Sequence, residues 1–250
     1  MIIDERNQLE FPPWIKRFPG RGSGAAVVFP HAGGAAAAYR PLATALSTRG
    51  VDTYVMQYPQ RADRLAHPAP DTIDDLADEL FAAGDWGRLG PLRLFGHCMG
   101  SLVAFEFARI ADRRDVQVHQ LWASSGQAPS TVAESPPLPT TDRDLLADMV
   151  DLGGTDPRLL ADEDFVELLL MAVRADYLAF GRYSCNPDVK IRADIHALGG
   201  SRDHRVDSEM LSRWKSHTDG QFTLSFYDGG HFYLNDHTDA VADRVSANGH

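Results

Sequence analysis

The chain has 250 residues, of which 44% are hydrophobic, and a formal net charge of −11, a composition typical of a globular protein. This length predicts a single domain with one large core and one insertion, rather than two domains. The negative charge, with no run of Lys or Arg, disfavours nucleic acid as a partner. The two cysteines, Cys98 and Cys185, make neither a disulfide framework nor a zinc motif.

No window of the sequence approaches the length of a membrane span, and residues 1–6 lack the basic and apolar regions of a signal peptide. We therefore expect a cytoplasmic protein. We also expect a monomer, because no exposed apolar stripe stands out in the sequence.

Six apolar runs, bounded by turn residues, recur along the chain. They cover residues 25–30, 51–58, 92–97, 116–125, 194–200 and 222–227. Most are continuously apolar, which is typical of parallel strands covered by helices on both faces. Helical periodicity between the runs predicts helices over 39–47, 72–83, 101–112 and 205–217. The alternation predicts an α/β fold with a mostly parallel central sheet flanked by helices.

The alternation breaks in the middle of the chain. A Pro/Ser/Thr-rich stretch at 129–141 precedes short helical segments at 145–150 and 165–175. We interpret residues 128–186 as a helical lid insertion within a single domain of residues 1–250. We expect this insertion to move when substrate enters.

A nucleophile motif follows the third predicted strand. The sequence Gly96-His97-Cys98-Met99-Gly100 is G-x-S-x-G with sulfur in place of the hydroxyl oxygen. The two glycines let a strand and a helix pass closely at a sharp turn. Free N–H groups at a helix amino terminus stabilise a thiolate. Cys98 is therefore the candidate nucleophile, although a core cysteine beside two incidental glycines would give the same pentapeptide.

An acid and a histidine follow the nucleophile in the order of the α/β-hydrolase triad. Asp203 ends the loop 199–203 after one predicted strand, and His231 follows two glycines after the next strand. Asp203 could instead cap the following helix, and His231 could be a surface imidazole. Asp228, three residues before the histidine, is a weaker candidate for the acid.

An oxyanion hole in such a site needs two backbone N–H groups. Met99, directly after the nucleophile, supplies one candidate donor. The Gly-rich loop 29–34 follows the first predicted strand, and Ala32 in this loop is the candidate for the second donor. A plain turn is the alternative interpretation of the loop. We expect His31 to shape the site and not to act as a second base.

With these residues assembled, the chain resembles the type II thioesterases of nonribosomal peptide and polyketide synthase systems. The resemblance spans about residues 19–231. It is carried by segments 29–34, 39–40, 57–64, 95–105, 198–203 and 229–232, and by segments 152–155 and 174–177 of the insertion.

The resemblance implies an α/β-hydrolase fold and hydrolysis of acyl or aminoacyl groups from the phosphopantetheine arm of acyl or peptidyl carrier proteins. It implies Cys98 as nucleophile, His231 as base and Asp203 as the acid that orients it, with Ala32 and Met99 as oxyanion donors. It implies no metal and no soluble cofactor, because the substrate is carried on the pantetheine of the partner protein.

Two positions depart from the family pattern. Cys98 stands where the family usually has Ser, and Gln60 stands where it usually has Gly. A thiol exchanges thioester for thioester, a nearly isoenergetic step, so transfer of acyl groups between carriers is an alternative to hydrolysis. A Cys introduced in place of Ser to trap an acyl-enzyme is another interpretation.

Two further alternatives stay open, a small-molecule hydrolase of the dienelactone type and a non-catalytic scaffold. The insertion favours a long pantetheine-borne chain over a lactone, and the retained nucleophile, acid and base disfavour a scaffold. Because carrier proteins are usually acidic, docking on this acidic chain needs a local basic or apolar patch. The candidate basic residues are Arg61, Arg64, Arg182, Arg202 and Arg205.

Overall fold

The computed structural model describes residues 10–22, 24–155 and 158–247, so residues 1–6, discussed above for targeting, lie outside the described residues. Within those ranges the chain forms one seven-stranded sheet. The strands are β1 (Lys16–Phe18), β2 (Ala25–Phe29), β3 (Asp52–Val55), β4 (Leu92–His97), β5 (Val118–Ser124), β6 (Asp194–Gly200) and β7 (Phe222–Tyr227). Their order is β1-β3-β2-β4-β5-β6-β7, with β1 antiparallel to β3 and the other neighbours parallel.

Helices cover both faces of this sheet. They are α1 (Arg40–Thr48), α2 (Ile73–Ala82), α3 (Met99–Arg113), α4 (Asp142–Leu152), α5 (Glu163–Gly181), α6 (Ser208–Ser212) and α7 (Thr238–Ser246). Helices α2 and α3 pack together, as do α1 and α7. The prediction of a mostly parallel α/β sheet is confirmed. No helix in the described ranges is long and apolar enough to cross a membrane.

The core lies on both faces of the sheet because the parallel strands are buried on both sides. In β2 every residue is buried, and its side chains alternate between two separate hydrophobic clusters. Val27 joins the larger cluster with Trp86 and Phe105, and Val28 joins the cluster that contains Phe95. This double burial explains why the strand sequences are continuously apolar.

Helices α4 and α5 of the insertion pack on each other through a small cluster of their own. The cluster consists of Leu145, Met149, Leu170 and Val173. Thr141 caps α4 by accepting a hydrogen bond from the Asp144 N–H group at 3.2 Å. The predicted helices over 145–150 and 165–175 are thus present, and both extend further than the periodicity indicated.

Three elements at the edges of the fold differ from what we predicted from the sequence. The predicted helix over 205–217 is a single turn, α6, followed by a 3-10 helix over Arg213–His217. The helix begins only at Ser208, because Asp207 has an extended backbone (φ −85°, ψ 180°) and caps α6 by accepting a hydrogen bond from the Met210 N–H group at 2.8 Å. Strand β1 and helix α7 were not predicted.

Candidate active site

Cys98 stands at the junction of β4 and α3, with φ 55° and ψ −124°. A residue with a Cβ adopts this backbone conformation only under constraint. A Cβ on Gly96 would overlap the carbonyl group of Gly100, and a Cβ on Gly100 would overlap that of Phe29. Ser101 closes the turn by donating from its hydroxyl to the Gly96 carbonyl at 2.9 Å. The close passage of strand and helix therefore requires both glycines and places Cys98 at a helix amino terminus.

Asp203 and His231 meet in the loops after β6 and β7. The Nδ1 atom of His231 lies 2.9 Å from Oδ2 of Asp203, and both side chains are buried. The other carboxylate oxygen accepts from the N–H groups of Arg205 and Val206. Burial raises the pKa of a carboxyl group, but the hydrogen bond and charge of His231 and the two backbone donors outweigh it, so the pKa of Asp203 is lowered.

Asp228, the weaker candidate for the acid, lies on the surface. Its side chain is 73% exposed and forms an ion pair with Arg202. Of the two carboxylates, the structure brings Asp203 and not Asp228 to the imidazole of His231.

The imidazole of His231 interacts with Cys98, the candidate nucleophile, as well as with Asp203. Its Nε2 atom is buried and has no hydrogen-bond partner among the described residues. Burial lowers the pKa of the imidazole, but the negative charge of the Cys98 thiolate and the hydrogen bond to Asp203 outweigh it and raise the pKa of His231 to about 10. The raised pKa favours the protonated imidazolium form of His231 at neutral pH.

Both candidate oxyanion donors lie at the Cys98 end of the site, since Met99 follows Cys98 in the chain and Ala32 lines the same cavity as Cys98. Met99 is the first residue of α3, so its N–H group has no acceptor within the helix. The N–H group of Ala32 makes no hydrogen bond to any of the described residues. The next amide, that of Gly33, is already engaged, since it donates to Oδ2 of Asp176 at 2.7 Å. The amides of Met99 and Ala32, which were predicted as donors from the sequence, are therefore available to a substrate oxygen, whereas the amide of Gly33 is not.

His31 is held neutral beside the site. Its Nδ1 atom lies 2.7 Å from the hydroxyl of Tyr39, which also accepts a hydrogen bond from the His31 N–H group. Burial, together with the positive charges of His231 and Arg61, lowers the pKa of His31 to about 3. An imidazole that stays neutral and bound to Tyr39 shapes the loop, in line with the expectation that it is not a second base.

His97, which the sequence analysis left without a role, lies against His231, with ring centroids 5.5 Å apart. Its Nδ1 atom is 2.9 Å from the hydroxyl of Ser124, which is 2.7 Å from that of Tyr233. Burial and the charge of His231 hold the pKa of His97 well below its usual range. His97 is therefore a neutral ring that packs against the back of the site.

A buried ion pair joins helix α5 to the Gly-rich loop 29–34, which carries Ala32. Arg61 donates to both carboxylate oxygens of Asp176, at 2.7 and 2.8 Å, and to the carbonyl of Pro59 at 2.8 Å. Because Asp176 also accepts from Gly33, one carboxylate holds together the loop at 33, the loop at 61 and the insertion. This pair was not predicted from the sequence. One sequence feature does indicate that Asp176 is buried: it lies on the same face of α5 as the buried residues Ala172 and Ala179.

An apolar cavity of about 590 Å³ opens at Cys98, between the sheet and the insertion. Its apolar lining includes Met149, Leu152, Leu159, Phe165, Leu169 and Phe232. Gln60, Arg61, Thr155 and Tyr177 add polar groups. The cavity has the size and character of a site for an acyl chain.

The docking prediction needs a correction. Arg61 and Arg64 are buried and paired with Asp176 and Glu79, so neither belongs to a basic surface patch. The remaining three candidates also face carboxylates: Arg182 pairs with Asp71, Arg202 with Asp228 and Arg205 with Asp148.

Cys185 is a partly buried residue packed against the larger core cluster. Burial and the nearby Glu106 carboxylate raise the pKa of its thiol, which suits a packing residue and not a nucleophile. The described residues contain no group of three or more His, Cys, Asp or Glu side chains arranged to hold a metal ion.

The mostly parallel sheet, with Cys98 after β4, Asp203 after β6 and His231 after β7, has the α/β-hydrolase fold. The thioesterase domain family matches residues 26–248, and the chain belongs to this family. The prediction of a thioester hydrolase is thereby confirmed at the level of the family.

Named relatives agree with this assignment. The chain is 38% identical over 237 residues to the thioesterase PikA5 of Streptomyces venezuelae, covering 93% of this chain and 84% of that protein. It matches the structure of the type II thioesterase BorB from the borrelidin biosynthetic cluster with a TM-score of 0.81 and 37% identity, covering 95% of this chain and 98% of that one.

A larger protein is also similar. The chain is 68% identical over 246 residues, 98% of its length, to part of the phenyloxazoline synthase MbtB of Mycobacterium tuberculosis. The chain spans 17% of the length of that synthase.

Proposed function

We propose that this chain hydrolyses acyl or aminoacyl thioesters from the phosphopantetheine arm of carrier proteins in nonribosomal peptide or polyketide biosynthesis. The observation that carries the proposal is the position of Cys98. This residue stands at the strained turn between β4 and α3 and lines an apolar cavity beside the Asp203–His231 pair. The family and the named relatives supply the thioester chemistry.

In the first half-reaction, the Cys98 thiolate attacks the thioester carbonyl carbon. The carbonyl oxygen becomes an oxyanion that the amides of Ala32 and Met99 stabilise. The carbon–sulfur bond to pantetheine then breaks, and the pantetheine sulfur takes a proton from the His231 imidazolium. The products are an acyl-Cys98 thioester and a free carrier thiol.

In the second half-reaction, His231 is neutral and acts as a general base. It removes a proton from a water molecule, whose oxygen attacks the acyl carbon on Cys98. The bond to the Cys98 sulfur breaks, which releases the acid and restores the thiolate beside the imidazolium. Asp203 holds the imidazole in orientation through both steps.

Transfer to a second carrier is a second candidate function, and the thiol at position 98 favours it. An acyl-cysteine thioester and an acyl-pantetheine thioester are of nearly equal energy, so a second pantetheine thiol could replace water as the acceptor. The same triad would serve this reaction, with His231 deprotonating the incoming thiol.

The partners we propose are carrier proteins or carrier domains. The matches to part of a phenyloxazoline synthase and to a type II thioesterase of the borrelidin biosynthetic cluster support carriers that belong to a biosynthetic system. The insertion over residues 128–186 would act as the lid that admits the pantetheine arm to the cavity.

A carrier protein loaded with an acyl-pantetheine tests the proposal. The carrier, this enzyme and all products are followed by intact-protein mass, with and without a second, empty carrier. Hydrolysis predicts free acid in the absence of the second carrier. Negligible acid, with acyl groups moving to the second carrier, would replace hydrolysis by transfer. Acid release that Cys98→Ala does not reduce would contradict both.

A further inference from the structure

Gln60 occupies a backbone conformation that a glycine adopts without strain. Its φ is 61°, in the left-handed region, and its N–H group donates to the carbonyl of Arg64 at 3.0 Å. A side chain at this φ is unfavourable for any residue with a Cβ. The loop nevertheless carries the long amide side chain of Gln60 at this position, where a glycine would be less strained.

The Gln60 side chain lines the same cavity as Cys98. Its Oε1 atom is buried and has no hydrogen-bond partner within the described part of the chain. Buried polar atoms of folded proteins are almost always paired, because an unpaired acceptor has lost its hydrogen bonds to water. An acceptor left free in the wall of a substrate cavity is available to a group that the substrate brings.

The neighbours of Gln60 do not satisfy this oxygen. The adjacent Arg61 guanidinium is committed to Asp176 and to the carbonyl of Pro59. Ala62 and Leu65, which follow in the same loop and line the same cavity, are apolar. The Gln60 amide thus places one hydrogen-bond acceptor in a largely apolar wall.

We propose that Gln60 is a specificity-determining residue, whose amide oxygen accepts a hydrogen bond from an N–H or O–H group of the acyl chain. This inference rests on the proposed function, because it assumes that the acyl chain occupies the cavity. It assigns peptidyl, N-acylaminoacyl or hydroxyacyl thioesters as the favoured class and plain alkanoyl thioesters as poorer substrates. An acyl chain without a donor leaves the acceptor unpaired, and sites of this kind discriminate against such analogues.

Paired synthetic thioesters test the inference. Each pair carries the acyl group on N-acetylcysteamine, a pantetheine mimic, and places an amide N–H two, three or four bonds from the thioester carbonyl. In the twin compound an ester oxygen replaces that N–H, which removes the donor without adding bulk. Turnover is followed by chromatography and mass, because thiol-detecting reagents would modify Cys98. An alkanoyl thioester reports whether each preparation is an active enzyme.

We expect the wild type to prefer at least one N–H compound over its ester twin by about 10-fold or more in kcat/KM. Gln60→Met keeps the length of the side chain without its acceptor, and this variant should reduce the ratio to within about twofold. Gln60→Gly, which also removes the backbone strain, should do the same if the Met variant folds poorly. Gln221→Met is the matched control, because Gln221 is an exposed glutamine directly before β7, and it should keep the wild-type ratio.

Three results would overturn the inference. A wild type that shows no preference within any pair contradicts it, and so does a preference that persists in both Gln60 variants. If the wild type hydrolyses neither the pairs nor the alkanoyl thioester, the proposed function itself fails, and this inference falls with it. Turnover of the alkanoyl thioester without discrimination leaves the proposed function standing and refutes only the role of Gln60.

Discussion

The buried pair between Arg61 and Asp176 gives the sharpest test of how the Gly-rich loop 29–34 is held in place. Asp176 accepts hydrogen bonds from two guanidinium nitrogens and from the Gly33 amide, all at 2.7 to 2.8 Å. Both charged side chains are less than a tenth exposed. Asp176→Ala therefore leaves an uncompensated guanidinium in the protein interior and frees the loop that carries Ala32.

The expected loss of stability follows from that burial. Removing one partner of a buried ion pair costs about 3–5 kcal/mol. For a chain of this size each kcal/mol corresponds to about 2–4 °C, so the melting temperature should fall by roughly 6–20 °C. Asp71→Ala is the matched control, because the pair of Asp71 with Arg182 is exposed. Loss of such a pair should cost no more than about 1 kcal/mol.

The expected loss of activity has a different cause. Without Asp176 the Gly33 amide loses its acceptor, and the neighbouring amide of Ala32 is no longer fixed toward the thioester oxygen. Loss of one oxyanion donor lowers kcat by about 10²–10³, and we expect a kcat loss of up to that size with a smaller change in KM. Thermal melts and steady-state turnover of an acyl-N-acetylcysteamine thioester measure the two effects separately.

A double variant separates positioning from stability. Arg61→Met with Asp176→Leu replaces the ion pair by apolar side chains, which commonly restores stability. The Gly33 amide still has no acceptor in that variant, so kcat should stay low while the melting temperature recovers. Recovery of both would show that the pair is merely structural. A melt of Asp176→Ala that matches the wild type would refute the reasoning on burial.

The remaining predictions concern the triad and the insertion. In Cys98→Ala the pKa of His231, followed by NMR, should fall well below about 10, since the thiolate that offsets burial is gone. The raised pKa also means that His231 stabilises the wild-type fold fully below pH 6.5 and loses this contribution as the pH rises towards 10. In denaturant melts the free energies of unfolding of wild type and Cys98→Ala should therefore differ most below pH 6.5 and converge as the pH rises towards 10. Asp203→Asn should lower kcat by about 10⁴, whereas Asp228→Asn, on the surface, should stay within about twofold; equal losses would contradict the assignment of the acid. Amides of α4, which buries only Leu145 and Met149, should exchange with solvent faster than those of α3, which is buried along most of its length. Full protection of the insertion would contradict a moving lid.

The parallel core of the fold was predictable because its strands are buried on both faces. A strand such as β2 has five buried residues and no alternation, and this pattern appears directly in the sequence. Strand β1 has three partly exposed residues, Lys16, Arg17 and Phe18, so it carries neither an apolar run nor a clear alternation. It exists because its backbone pairs with β3, a tertiary contact that no local pattern reveals.

The residues proposed as the triad were predictable because the turn between β4 and α3 has a recognisable local sequence pattern. Gly96 is required by the close passage of β4 and α3, and Gly100 by the close approach of α3 to the end of β2. The acid and histidine follow later strands in a fixed order. The contact between Asp203 and His231 agrees with that prediction.

The support around the site was not predictable in the same way. Arg61 and Asp176 are 115 positions apart, and only the folded chain brings them together. The same holds for Asp148, which accepts a hydrogen bond from the Tyr177 hydroxyl at 2.6 Å and pairs with Arg205. A single sequence shows such residues as surface charges, and Arg61 was wrongly placed in a docking patch because it lies near a predicted active-site loop.

The central claim is that Cys98 carries the acyl group, and rapid-quench mass spectrometry tests it most directly. The enzyme is mixed with an acyl-loaded carrier, quenched in acid at short times and digested, and the peptide that contains Cys98 is weighed. We expect the acyl mass on that peptide before free acid accumulates, and neither acyl-peptide nor acid from Cys98→Ala. Free acid formed without any acyl group on Cys98, or formed undiminished by Cys98→Ala, would contradict the account.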